Sequence, residues 1–269
     1  MRIGGRTILS LARLGFTIRA ISNPVVSIAT TLDGASIELP AFAGVKALTF
    51  DLFGTVLDLG GSLTPHIGAF LKRKEASVST DEFWGQWRYR QRLEQFQDTI
   101  MALGHSGYLE TVRRAFVYTL GLNQIKATSD EVREFLECWQ QLSPFPDVAD
   151  ALPRLHEHYR LIALSNGDDW FLEHLATNRI QYEFDHVISV DLIGAFKPHP
   201  GVYRRAATMA ELEVGECMMV STNSFDVVGA RACGMRGAWV NRNRLPYEET
   251  PYRADVTVVD FTELTEAIT

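Results

Sequence analysis

Val45-Lys46-Ala47-Leu48-Thr49-Phe50-Asp51-Leu52-Phe53-Gly54-Thr55-Val56-Leu57-Asp58 is the stretch from which the rest of the chain is read. A short run of β-formers ends at a single carboxylate, and a glycine follows three positions later. An apolar run bounded in this way predicts a strand buried on both faces, as in a parallel sheet. Runs of the same type recur at residues 161–164, 186–190, 217–220, 237–241 and 256–259. Between them, residues 147–158, 170–178, 200–210 and 226–233 carry helical amphipathic patterns. The alternation predicts an α/β fold with a Rossmann-like parallel sheet.

The alternation breaks between Leu57 and about Phe145. Residues 80–103 (around Trp84, Trp87 and Leu93), 109–120 and 130–142 are helical in pattern, with no convincing strand. Placed directly after the first strand, this segment predicts an all-helical cap over the carboxyl edge of the sheet, where ligands bind in open α/β folds. The expected organisation is an N-terminal extension at 1–44, a core at 45–57 plus 146–269, and a cap at 58–145.

Composition narrows the function classes. The chain has 269 residues, 46% hydrophobic and 22% charged, with a net charge of −7. That is the balance of a protein able to bury a core, without the basic surplus a nucleic-acid partner requires. Residues 1–32 hold four arginines (Arg2, Arg6, Arg13, Arg19) and no acid, which marks them as foreign to the acidic remainder and as a dispensable extension. The apolar stretch at 8–21 is interrupted by Arg13 and Arg19, and no run reaches the ~18 residues of a membrane span. Cys138, Cys217 and Cys233 show no metal-ligand spacing and read as buried thiols in a reducing compartment, so a cytoplasmic protein is expected.

Four polar clusters fall at the carboxyl ends of predicted strands: Asp51, Ser165-Asn166-Gly167, Lys197-Pro198, and Ser221-Thr222-Asn223-Ser224-Phe225-Asp226. Taken singly, Asp51 could cap a turn, Ser165-Asn166-Gly167 could be a plain turn, Lys197 a solvated lysine and Asp226 an N-cap. Their convergence on one crevice points to a site.

In this order the clusters resemble the haloacid dehalogenase superfamily. The first motif runs from Asp51 to Asp58, the second from Leu164 to Gly167, the third from Lys197 to Tyr203 and the fourth from Ser221 to Asp226. Phosphatases of the superfamily carry a second Asp two residues after the nucleophile, where this chain has Phe53, and a more acidic fourth motif for Mg²⁺. These departures, with Trp239-Val240-Asn241-Arg242 downstream, are similar to the (S)-2-haloacid dehalogenase branch.

The resemblance implies that Asp51 displaces halide from a short 2-haloalkanoate to form an ester, and that Asp226 serves water attack on it. It implies that Lys197 steadies the carboxylate and the oxyanion, while Thr55, Ser221 and Asn223 orient the nucleophile. Ser165, Asn166 and the N–H groups after Asp51, from Leu52 onward, would hold the substrate carboxylate, with Phe53, Tyr203 and Phe225 beside it. Arg88, following Trp87, would receive the halide; Arg90 is the alternative, and a solvated face is expected for the neighbouring arginines, Arg92 among them. Phe53 and Phe225 stand where the branch commonly has Tyr and Trp, so a hydroxyl and an indole N–H are lost from the pocket. Haloacetate, fluoroacetate or azetidine-2-carboxylate hydrolysis is the alternative, and a phosphatase a further one. No cofactor and no metal are implied. The expected partner is a small halogenated carboxylate, with a homodimer implied by the resemblance alone.

Overall fold

Thr49, in the middle of the first strand, is wholly buried and donates its hydroxyl to the Met218 carbonyl at 3.2 Å, which pins together two strands distant in sequence. The computed structural model describes residues 42, 44–102 and 104–269, so the expectations for the N-terminal extension lie outside the described residues. Strand β1 (Ala47–Phe50) leads through β2 (Leu57–Asp58) into helices α1 (Leu59–Arg73), α2 (Thr80–Met101), α3 (Tyr108–Leu122) and α4 (Ser129–Leu136). The chain returns through β3 (Ser143–Pro144) and then alternates: α5 (Val148–His156), β4 (Arg160–Ser165), α6 (Asp169–Leu175), β5 (His186–Ser189), α7 (Pro200–Met209). It ends with β6 (Cys217–Ser221), α8 (Ser224–Ala232), β7 (Arg236–Val240), β8 (Val256–Val258) and α9 (Phe261–Ile268).

The main sheet has six strands in the order β5-β4-β1-β6-β7-β8, every pair parallel. The chain first builds outward on one side of β1 and then crosses to the other, so the switch point lies between β1 and β6. All four residues of β1 are buried, and Phe50 stacks on Phe261 at 5.7 Å. Burying each such ring contributes roughly 1.5–3 kcal/mol.

The small antiparallel pair β2–β3, with Leu57 opposite Pro144, joins the outgoing and returning chain, and the Phe145 N–H donates to the Val56 carbonyl at 2.9 Å. Helices α1–α4 between them bury an aromatic cluster of Phe70, Phe83, Trp87, Phe116 and Phe135. Helix α1 has no counterpart in the sequence expectation, because Gly60, Gly61 and Pro65 mask its periodicity. It forms because Asp58 caps it: its carboxylate accepts the Gly61 N–H at 2.8 Å, and a Cβ on Gly61 would lie 2.2 Å from that carboxylate. The stretch read as one helix over 130–142 divides into α4 and a 3₁₀ segment, Glu137–Gln141. Cys138 and Cys217 are buried as expected, and burial pushes their thiols up to about 12 and about 11; Cys233 is instead half-buried.

Candidate active site

The carboxyl ends of β1 and β6 flank the switch point, and both carry site residues. Asp51, directly after β1, is 5% exposed and its carboxylate is surrounded by donors. Thr55 Oγ1 at 3.1 Å and Asn223 Nδ2 at 3.0 Å address Oδ2; Ser165 Oγ at 3.2 Å and Lys197 Nζ at 3.6 Å address Oδ1. Gly54, at φ +90°, turns the backbone so that Thr55 folds back onto Asp51. Thr222 steadies that turn: its N–H donates to Thr55 Oγ1 at 2.9 Å and its hydroxyl to the Gly54 carbonyl at 2.7 Å.

Behind Asp51 lies a second buried carboxylate. Asp226 Oδ2 accepts from Lys197 Nζ at 3.0 Å, and Oδ1 accepts from the Tyr203 hydroxyl at 2.7 Å. Burial holds the Asp226 carboxyl above the usual carboxylate range; Lys197 opposes that shift and Asp51 adds to it. Burial likewise drives the Tyr203 phenol well above its ordinary value, with the Asp226 charge reinforcing it, so Tyr203 acts as a donor. Lys197 is therefore the single cation between two carboxylates, and it is 2% exposed. Its backbone N–H donates to Asn166 Oδ1 at 2.9 Å.

The crevice in front of Asp51 is small, with a cavity volume of about 30 Å³, and is roofed by α2 and α3. Arg88, Gln91, Arg92 and Gln95 reach it from α2, at the i, i+3, i+4, i+7 spacing of one helix face. Tyr108 reaches it from the first residue of α3. Phe53, Asn166, Lys197, Asn223, Phe225 and Asp226 line the remainder. The core holds α3 in place through Asp168, whose carboxylate accepts the Tyr108 and Leu109 N–H groups, each at 3.0 Å. Gly107 allows that approach, since a Cβ there would lie 2.6 Å from Asp168 Oδ1.

Of the residues singled out in the sequence, Asp51, Phe53, Arg88, Asn166, Lys197, Asn223, Phe225 and Asp226 meet at this crevice, and Thr55 touches Asp51 from behind. Several do something other than expected. Ser165 gives its hydroxyl to Asp51 and accepts the Leu52 N–H at 3.3 Å, so neither group is open to a substrate carboxylate. Asn166 spends its side chain on Lys197 and, at 3.2 Å, on Gln95. Tyr203 lies behind Asp226 and outside the crevice, and Ser221 accepts the Asn223 N–H at 3.1 Å instead of reaching Asp51. Arg90 turns away to Glu94 and the Tyr118 ring, which leaves Arg88 as the inward arginine of that pair.

Arg92 is exposed, as expected of a solvated face, and it also donates to Asn223 Oδ1 at 3.2 Å and covers the Phe225 ring at 4.8 Å. Desolvation of its guanidinium, with Arg88 nearby, lowers its pKa. Gln91, Gln95 and Tyr108 were missed, and Thr222 was named in its cluster without a role; for the glutamines, the polar face shared with Arg88 was the available signal. Trp239 and Arg242 brace the site from outside, through the Thr222 carbonyl at 3.0 Å and a two-pronged pairing with Asp147.

A haloacetate dehalogenase of Moraxella sp. (strain B) is 31% identical over 80% of this chain and 93% of that protein. An (S)-2-haloacid dehalogenase of Xanthobacter autotrophicus is 31% identical over 74% of this chain and 76% of its own. The solved L-2-haloacid dehalogenase from Xanthobacter autotrophicus with chloropropionic acid covalently bound matches with a TM-score of 0.72 at 26% identity, covering 82% of this chain and 97% of that one. Residues 45–234 match the family model for haloacid dehalogenase-like hydrolases, and the chain belongs to that family.

Proposed function

We propose that the protein is an (S)-2-haloacid dehalogenase that works through an ester on Asp51. The observation that carries the reading is the surrounding of Asp51: four donors address its carboxylate at the mouth of a small crevice, and Phe53, with no proton to give, stands where a phosphatase needs its acid. An oxygen of Asp51 forms a bond to C2 of the substrate, and the carbon–halogen bond breaks with its electron pair leaving on the halide. Water then adds to the Asp51 carbonyl carbon, and the oxyanion so formed is met by donors already in place. Asp226 takes a proton from that water; the bond between the Asp51 carbonyl carbon and the ester oxygen then breaks, the proton passes from Asp226 to that oxygen, and the hydroxy acid leaves with both carboxylates restored. Inversion at C2 gives the (R)-2-hydroxy acid from the (S)-halide. The raised pKa of Asp226 improves its match to this role.

Among the described residues no helix is long and apolar enough to cross a membrane. Our reading places the enzyme in the cytoplasm, and it keeps the homodimer that the family resemblance implies.

The test is halide release from (S)- and (R)-2-chloropropionate in excess EDTA, with Asp51→Asn as the control. Release from the S enantiomer that survives chelation and vanishes in the variant is expected. Release unaffected by Asp51→Asn would overturn the ester route. No release from either enantiomer would overturn the chloropropionate reading and turn attention to haloacetates and azetidine-2-carboxylate.

A further inference from the structure

Lys197 reaches its two carboxylates from a loop that the cap holds. The loop, residues 190–198, follows β5, and Phe196 and Lys197 are buried near its end. The Phe196 N–H donates to Thr99 Oγ1 at 2.9 Å, and Thr99 belongs to α2. The next N–H, that of Lys197, donates to Asn166, whose amide donates in turn to Gln95 Oε1, one turn before Thr99 on the same helix face. His105, in the connection from α2 to α3, lies across the loop: its ring stands over Phe196 at 4.3 Å, and Nε2 donates to Asp191 Oδ1 at 2.8 Å.

Phe196 is wholly buried, and a buried N–H without an acceptor is costly, so its backbone settles where Thr99 can receive it. Asp191 is braced at its other oxygen by the Asp169 N–H at 3.0 Å, so the His105 contact ties the cap to a fixed point of the core. Neither Thr99 nor His105 lines the crevice, and both reach Lys197 only through the loop that carries it. Lys197 Nζ stands 3.0 Å from Asp226 Oδ2 but 3.6 Å from Asp51 Oδ1. A small recession of the loop therefore loses the Asp51 contact first, because the closer Asp226 keeps the ammonium.

We propose that Thr99 and His105 are positioning residues through which the cap holds Lys197 on Asp51 Oδ1, and that ester hydrolysis depends on them while halide displacement does not. This role rests on the dehalogenase reading above. When water adds to the Asp51 carbonyl carbon, the carbonyl electron pair moves onto the oxygen, and the Lys197 ammonium meets that charge without giving up its proton. Halide displacement makes no new charge there. The other oxygen, Oδ2, is held by Thr55 and Asn223, which the cap contacts at Thr99 and His105 do not touch.

The test is burst and steady-state kinetics of halide release from (S)-2-chloropropionate by Thr99→Val, which keeps the side-chain volume and deletes the acceptor. A displacement on the order of 1 Å is expected to lower kcat by about 10- to 100-fold. KM is expected to fall with it, so that kcat/KM, which reports halide displacement, stays within about twofold of wild type. A stoichiometric halide burst remains, and the accumulated ester is read as a mass increase by intact-protein mass spectrometry. Thr99→Ser restores the acceptor and is expected to recover most of kcat. His105→Phe keeps the ring over Phe196 and deletes the Asp191 bond; it is expected to lower kcat by roughly tenfold in the same pattern, and it decides the question if Thr99→Val does not fold. A folded variant with wild-type kcat would overturn the positioning role and leave the dehalogenase reading intact. So would kcat and kcat/KM lowered alike at constant KM, the pattern of a merely structural group, or a Thr99→Ser no better than Thr99→Val. A wild-type protein that releases no halide would overturn both.

Discussion

Deleting the Tyr203 hydroxyl tests how the second carboxylate is tuned. Tyr203→Phe removes one oxygen from a wholly buried ring that packs closely on Gly229, where a Cβ would lie 3.1 Å from Cε2. Asp226 Oδ1 then loses its 2.7 Å donor while Oδ2 keeps Lys197. A hydrogen bond to a charged group contributes about 1.5–3 kcal/mol. Losing that donor raises the Asp226 pKa, already raised by burial, further. Asp226 acts as a base only when ionised, so the acid limb of kcat moves to higher pH, and at a fixed pH on that limb the rate falls by about 10- to 100-fold, the equivalent of the lost hydrogen bond.

Stability carries the same sign. A carboxyl whose native pKa lies above its unfolded value binds more protons when folded, so its effect favours the native state at low pH and is lost as pH rises from the unfolded to the folded value. The variant extends that loss to higher pH. Halide release against pH for both proteins, with urea titrations at each end of the range, measures both effects. An acid limb that does not move in a folded variant would refute the assignment of Asp226 as the titrating base.

Asp168→Ala removes the acceptor of two N–H groups at the start of α3, and is expected to cost about 1–2 kcal/mol, or a melting temperature lower by roughly 2–8 °C, read by calorimetry. Arg88→Ala is expected to lower kcat/KM for halide release by about 100-fold or more, because it removes the inward cap arginine that would receive the halide. Arg90→Ala is the internal control: its ion pair with Glu94 is on the helix face turned away from the crevice, so turnover should be unchanged and stability altered by less than about 1 kcal/mol.

The core was legible because buried parallel strands leave an unmistakable mark: β1, β4, β6 and β7 are nearly continuous apolar runs, each ending in or followed directly by a polar residue. Helix α1 was not, since two glycines and a proline hide a helix that a single Asp58 cap and tertiary burial enforce. At the site, residue identity and strand-end position located the groups, but not what each one faces. Asn166 and Tyr203 stand among site residues and yet serve Lys197 and Asp226, and one turn of backbone decides between such roles. The cap wall was the least legible part. Gln91, Arg92 and Tyr108 come from two helices whose register over the sheet depends on packing and on the Asp168 contact.

The donors around Asp51 also divide the reaction between its two oxygens. Whichever oxygen attacks becomes the ester oxygen and gives up its charge, so a strong cationic donor on it would resist the reaction. The other becomes the carbonyl oxygen, and water attack places a full negative charge there. Neutral Thr55 and Asn223 address Oδ2, whereas Lys197 and Ser165 address Oδ1. The attacking oxygen is therefore expected to be Oδ2, and the oxyanion to form on Oδ1. Asn223→Ala should then slow the burst of halide in the first turnover, and Ser165→Ala should leave the burst and slow the steady state by about 100-fold. With Ser165→Ala the ester accumulates, and intact-protein mass spectrometry during turnover detects it as a mass increase on Asp51. A burst slowed equally by both variants, or an ester that builds up in Asn223→Ala and not in Ser165→Ala, would reverse the assignment of the two oxygens.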